Sequence, residues 1–397
     1  MTPLLLSAYS LTTCLGRGLD ATLEELRQGR SGLSPCAFES VALDTWVGEV
    51  AAVDDQRLPA PLAHYDCRNN RLALLGLETD GFAECLRAAR SRYGSARLGV
   101  FLGTSTAGIL QAELAYRRRS PQGGALPDDF FYRSTHNPFS LAEFARDYFA
   151  LEGPAVAVST ACSSSAKAFA AAARQIACGS IDAALVGGVD SLCLTTLYGF
   201  ASLELTSSRP CRPYDVARDG ISVAEGAAFA LLERFPAGAP PGSPLLIGYG
   251  ESSDAYHMSA PQPQGLGARL AMTSALRSAG LTPKDIDYLN LHGTATPAND
   301  AAEGLAVGAL FGAALPCSST KGATGHTLGA AGAVEALICV LALTHDLLPG
   351  SPQTETPDPA IPLAYQLTSR PGRVRRALSN SFGFGGSNCS LVFGLSA

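Results

Sequence analysis

The sequence predicts an α/β protein built from two related halves, and three observations carry that expectation. Short apolar runs alternate with alanine-rich stretches along the chain, as strands alternate with helices in a covered sheet. A Pro/Gly-rich break, PAGAPPGSP (Pro236 to Pro244), separates two segments that each contain both kinds of run. Similar wording then recurs in the same order on either side of it.

The strand-like runs are Leu98 to Leu102, Ala155 to Val158, Ala183 to Val186, Phe229 to Leu232 and Tyr288 to Leu291. Continuous apolar residues bounded by Gly or Ser suit strands buried on both faces. In the first half one strand runs into LGTST (Leu102 to Thr106), and a later one runs into STACSSSAKAFAAAA, where a helix opens. In the second half a strand runs into HGTAT (His292 to Thr296), and a later segment, SSTKGATGHTLGAAGAVEAL, opens another helix. The period is half a chain, which indicates duplication and not a solenoid. The halves are expected at residues 1–238 and 245–397, and the stretch Gln111 to Ala150 is expected to form a cap or a subunit contact.

With 397 residues and 47% hydrophobic content, the chain can bury a large core. A net charge of −6 gives no general surface for nucleic acid, and the basic run at Arg117 to Arg119 reads as a solvated face. Eleven cysteines occur without CxxC pairs or Cys/His ligand spacing, so neither a metal centre nor a disulfide framework is expected. No uninterrupted apolar stretch reaches the length of a membrane span. A reducing, cytoplasmic setting is the expectation.

Chemistry is expected first at Cys162. In AVAVSTACSSSAKAFAAAARQI it follows a β-branched run and precedes a helix-forming one, which places its thiol at a strand-to-helix turn. A helix N-terminus there would favour thiolate and could hold an oxyanion. Of the six histidines, His292 and His326 sit at comparable turns in Gly/Thr-rich surroundings, and duplication would bring both toward Cys162. His64, His136, His257 and His345 read as structural. Lysine occurs only at positions 167, 284 and 321, and Lys321 stands in the same turn motif as His326, where a chain otherwise rich in Arg keeps a compact ammonium. Glu303, eleven residues after His292, is expected either to orient Lys321 or to be an exposed carboxylate. Three glycines in NSFGFGGSN (Asn380 to Asn388) indicate special backbone angles or close approach to a ligand.

Taken together, VSTACSSSA, RPYDVARDG, HGTATPAND, STKGATGHTLGAAG and NSFGFGGSN resemble the ordered motifs of the elongating β-ketoacyl-[acyl-carrier-protein] synthases. The resemblance implies a thiolase-like fold, with two duplicated α/β halves in a five-layered αβαβα arrangement. It implies decarboxylative condensation of a malonyl thioester with an acyl primer held on Cys162. By the same resemblance His292 and His326 promote decarboxylation, Lys321 orders their region and Glu303 is its acidic partner. The backbone N–H groups of Cys162 and Phe384 form the oxyanion hole, and Phe384 is also a mobile gate. Thr294 and Thr296 bind the phosphopantetheine arm, while Thr106 and Phe200 belong to the acyl pocket. No cofactor is implied beyond that arm, which the acyl carrier protein brings. The implied assembly is a homodimer, or a heterodimer with a chain-length-factor-like homologue.

Other members of the fold fit less well. A thiolase would carry a second cysteine where this chain has Phe384, initiating synthases carry Asn where it has His326, and a non-catalytic chain-length factor lacks the nucleophile. GVDSLCLTTLYGFASLE resembles synthases of aryl polyene clusters, so a specialised acyl pathway stands beside fatty-acid synthesis.

Overall fold

The computed structural model describes residues 1–120, 122–235 and 239–397. The first three residues of the expected linker, 236–238, lie outside the described residues. Its remainder leads directly into a long strand that the sequence reading did not anticipate.

Eleven strands make the backbone of the main sheet: β1 (Leu4–Thr13), β2 (Leu98–Gly103), β3 (Ala155–Val158), β4 (Ala183–Asp190), β5 (Gly226–Arg234), β6 (Pro244–Ser253), β7 (Tyr288–Asn290), β8 (Pro316–Ser318), β9 (Ala364–Tyr365), β10 (Arg376–Gly383) and β11 (Ser387–Leu395). They lie in the order β9, β8, β7, β10, β11, β6, β1, β5, β4, β2, β3. The duplication is visible in this order. From the centre outward, β1, β5, β4, β2 and β3 repeat as β6, β11, β10, β7 and β8, each set beginning with two antiparallel pairings and ending with two parallel ones. LGTST and HGTAT therefore follow equivalent strands, as do the segments carrying Cys162 and His326. The two sets join along a short antiparallel seam, Leu4 opposite Leu246 and Leu5 opposite Leu245.

Among the described residues, seven of the helices supply the remaining layers: α1 (Arg68–Leu77), α2 (Phe82–Tyr93), α3 (Phe139–Tyr148), α4 (Ser164–Ala177), α5 (Leu266–Ala279), α6 (Pro297–Phe311) and α7 (Ala331–Thr344). The apolar residues of α1, α2 and α3 form one cluster with the first five strands, and those of α5 and α6 form another with the second set. Between the two sets of strands, α4 and α7 share the largest cluster with β1, β4, β5, β10 and β11. That is a five-layered αβαβα stack. The inner helices read as alanine-rich or apolar all round because they are covered on every side. Close approach also needs small residues: a Cβ at Gly103 would lie 2.3 Å from the amide nitrogen of Ser165. Helix α3 comes from the stretch expected to form a cap or a subunit contact and packs in the outer layer, while Tyr116, Phe131 and Tyr132 before it are exposed.

Candidate active site

The path into the site begins with β3, which ends at Val158, and a tight turn follows before α4 opens at Ser164. Ala161 adopts φ +51°, a left-handed conformation that an alanine holds only when its surroundings impose it. Two serines impose it here. Ser163 Oγ donates to the Thr160 carbonyl at 2.9 Å and Ser164 Oγ to the Ala161 carbonyl at 2.5 Å. The turn holds the Cys162 thiol 3.0 Å from His326 Nε2. Cys162 is 6% exposed, and burial pushes its thiol up to about 12, against the pull of the Lys321 charge. Loss of water therefore works against the thiolate that a helix N-terminus would favour.

Strand β7 delivers His292 from the other half. Its backbone N–H donates to Glu303 Oε1 at 2.8 Å and the next N–H, of Gly293, to Glu303 Oε2 at 2.8 Å. Lys321 donates to the His292 carbonyl and stands 3.5 Å from His292 Nδ1. The main chain of His326 is held by a short bridge to residues 222–224, with its N–H donating to the Ser222 carbonyl at 2.8 Å. The two imidazoles face each other edge to face, with ring centres 5.4 Å apart. Burial, seconded by Lys321, holds both far below the ordinary histidine range, so both are neutral.

Glu303 departs from both expectations. It is buried, it does not touch Lys321, and it anchors the His292 turn through the main chain. The acidic partner of Lys321 is Glu335, which sequence reasoning missed. A signal was present: Glu335 is the lone charge in the apolar helix AGAVEALICVLALT.

Cys162, His292 and His326 line one wall of a cavity of about 240 Å³. Thr294 and Thr296 line it too, with their hydroxyls 2.8 Å apart, as do Phe200 and Phe384, whose rings lie 5.8 Å apart. The loop carrying Phe384 bends through Gly385 (φ +81°) and Gly386 (φ +75°), which explains the glycines of NSFGFGGSN. Thr106 is not among the residues that line this cavity. Its hydroxyl and backbone N–H both bond the buried Asp190 at 2.9 Å, and the hydroxyl accepts from the Ser191 N–H at 3.1 Å. Asp190 also takes the Ser105 and Gly329 amides, tying the turn after β2 to the segment just after His326. Of the basic run, Arg118 pairs with Asp129 and Arg117 and Arg119 bond nearby oxygens, an ordinary exposed face.

The Cys162, His292 and His326 donor atoms lie within 4.8 Å of one another, a spacing a metal ion could share. The Lys321 ammonium beside His292 puts a positive charge against any cation there.

Comparison with known proteins decides the family. The model described as "Beta-ketoacyl synthase, N-terminal domain" matches residues 2–237, and that described as "Beta-ketoacyl synthase, C-terminal domain" matches residues 245–355. The chain belongs to the beta-ketoacyl synthase family. Members of this family are condensing acyltransferases, and three relatives show the range it spans here. A mitochondrial 3-oxoacyl-[acyl-carrier-protein] synthase of Arabidopsis thaliana is 33% identical, over 98% of this chain and 92% of that protein. Nodulation protein E of Rhizobium meliloti is 34% identical, over 95% of this chain and 96% of that protein. A ketosynthase from Xenorhabdus doucetiae, solved in complex with its chain length factor, superposes with a TM-score of 0.91. It is 37% identical, over all of this chain and 98% of that one. Among the described residues no helix is long and apolar enough to cross a membrane.

Proposed function

We propose that this beta-ketoacyl synthase condenses malonyl thioesters with an acyl primer, both presented on acyl carrier protein, with Cys162, His292 and His326 as its catalytic residues. One observation carries the reading: a buried thiol 3.0 Å from a neutral imidazole, with a second neutral imidazole facing the same cavity.

In the first half-reaction the sulfur of Cys162 attacks the primer thioester carbonyl, with His326 Nε2 accepting the thiol proton. The carrier thiolate leaves and takes up that proton, so the acyl group moves without net proton change. The tetrahedral oxyanion faces the backbone N–H groups of Cys162 and Phe384. In the second half-reaction malonyl carrier loses carbon dioxide, and its electron pair becomes an enolate whose oxygen receives hydrogen bonds from the two histidines. The enolate carbon attacks the acyl-Cys162 carbonyl, the carbon–sulfur bond breaks, and the Cys162 thiolate takes one proton from solvent, relayed through His326, to restore the thiol. Neutral imidazoles suit both steps, since each Nε2 can accept or donate according to tautomer. Lys321 fixes the peptide of His292, and Thr294 and Thr296 stand where the pantetheine arm would pass. No cofactor besides that arm enters the reading.

We further propose that the halves are residues 1–238 and 245–397 and that the protein works in the cytoplasm. The similarity to a ketosynthase solved with its chain length factor supports a heterodimer with a homologous subunit over a homodimer. It also favours a specialised acyl chain over housekeeping fatty-acid synthesis.

The test is to incubate the protein with acyl carrier and malonyl carrier, alone and with a chain-length-factor homologue, and to follow product mass. A 3-oxoacyl carrier two carbons longer than the primer supports the reading. Neither acylation of Cys162 nor release of carbon dioxide, under conditions where a reference synthase gives both, overturns it.

A further inference from the structure

Tyr214, in the motif RPYDVARDG, has no part in the chemistry above. Yet it is 2% exposed and adopts φ +61°, a conformation that a bulky aromatic holds only when several contacts enforce it. Those contacts converge on the His292 turn. The Tyr214 N–H donates to Asp300 Oδ2 at 2.8 Å, its carbonyl accepts from the Asp358 N–H at 2.8 Å, and its hydroxyl donates to Glu303 Oε2 at 3.1 Å. Its ring lies tilted against that of Tyr365, 5.0 Å between centres, and a Cβ added at Gly293 would come within 3.2 Å of its edge.

Asp300 and Glu303 are three residues apart in α6, so one face of that helix grips both ends of the tyrosine. Glu303 receives four donors in all. The amides of His292 and Gly293 and the hydroxyl of Tyr214 account for three, and Asn380 Nδ2, at 3.0 Å, is the fourth. Each oxygen has two. Without the tyrosine hydroxyl Oε2 keeps only the Gly293 amide, and nothing else described holds that end of the carboxylate against rotation.

We propose that Tyr214 is a positioning residue for His292, acting through Glu303. Its hydroxyl squares the carboxylate onto two successive amides of the turn and so sets where the imidazole meets the developing enolate. The inference rests on the reading of His292 as an enolate-stabilising group.

Tyr214→Phe removes one oxygen and keeps the ring. The expected result is a roughly tenfold fall in kcat for malonyl decarboxylation, the scale of one lost hydrogen bond to a charged group. The KM for malonyl carrier and the rate of Cys162 acylation stay at wild-type values, and Tm changes little. In a Glu303→Gln background, adding Tyr214→Phe costs almost nothing further, because the two act in series. If the wild-type protein releases no carbon dioxide, the proposed function fails. Wild-type decarboxylation in Tyr214→Phe overturns this inference alone. So does an equal loss in both half-reactions, or full additivity with Glu303→Gln.

Discussion

Lys321 and Glu335 form an ion pair in which both side chains are within 2% of complete burial. The ammonium also donates to the His292 carbonyl, so one cation links α7 to the turn that carries an imidazole of the site. Burial pushes the Glu335 carboxyl up to about 7, with Lys321 pulling against it. An acid whose folded pKa exceeds its unfolded one stabilises the fold fully below the unfolded value and loses that contribution as pH rises through the folded one.

Lys321→Met removes the counter-charge and drives the Glu335 carboxyl higher still. The variant should therefore be destabilised more at pH 9 than at pH 6, approaching about 3–5 kcal/mol where the carboxylate is ionised and unpaired. Urea unfolding at both values checks this, and an equal loss at the two would count against a buried pair.

The two half-reactions should separate by mutation. Cys162→Ala removes the nucleophile and leaves both imidazoles, so acylation vanishes while malonyl decarboxylation continues. His292→Ala should still be acylated but lose about 100-fold to 1,000-fold in decarboxylation. His326→Ala should lose decarboxylation to a similar degree and also acylate more slowly, since His326 faces the sulfur. Acyl-enzyme mass and released carbon dioxide read the two steps independently.

A resting thiol makes a pH prediction. With the Cys162 thiol pushed up to about 12, its thiolate fraction rises about tenfold per pH unit through neutrality. Alkylation by iodoacetamide, followed at the Cys162 peptide, should climb without levelling between pH 7 and 9. A plateau in that range would mean a stored thiolate.

Chain length should respond at Phe200 and not at Thr106. Phe200→Ala opens the cavity wall beside Phe384 and should admit longer primers. Thr106→Gly takes a hydroxyl from the buried Asp190 and should cost about 1–3 kcal/mol of stability with the primer profile unchanged. Competition among primers of graded length, together with thermal melting, decides between the two positions.

Cys162, His292, His326 and Lys321 were legible in the sequence because each sits in a short stretch whose small residues and turn signals are local. The duplication was legible for the same reason, since LGTST and HGTAT mark equivalent strands. The partners that hold these groups were not. Glu335 reaches Lys321, Asp190 reaches Gly329, and Tyr214 reaches Glu303 across 14, 139 and 89 residues respectively, and no local pattern encodes such pairings. Strands β1 and β6 were missed because each lies at the middle of the sheet, beside a terminus or a Pro-rich break that reads as irregular.

The hydrogen bond from Cys162 to His326 spans 164 positions and crosses the plane where α4 and α7 pack back to back. Neither half holds a working constellation by itself. During synthesis the first half can acquire its sheet and its cysteine turn well before the second emerges, yet reactivity waits for the docking of the later helix. The appearance of acylation competence in a refolding experiment is thus a clock for that docking. It should lag the recovery of helical signal, because long-range closure is slower than local ordering.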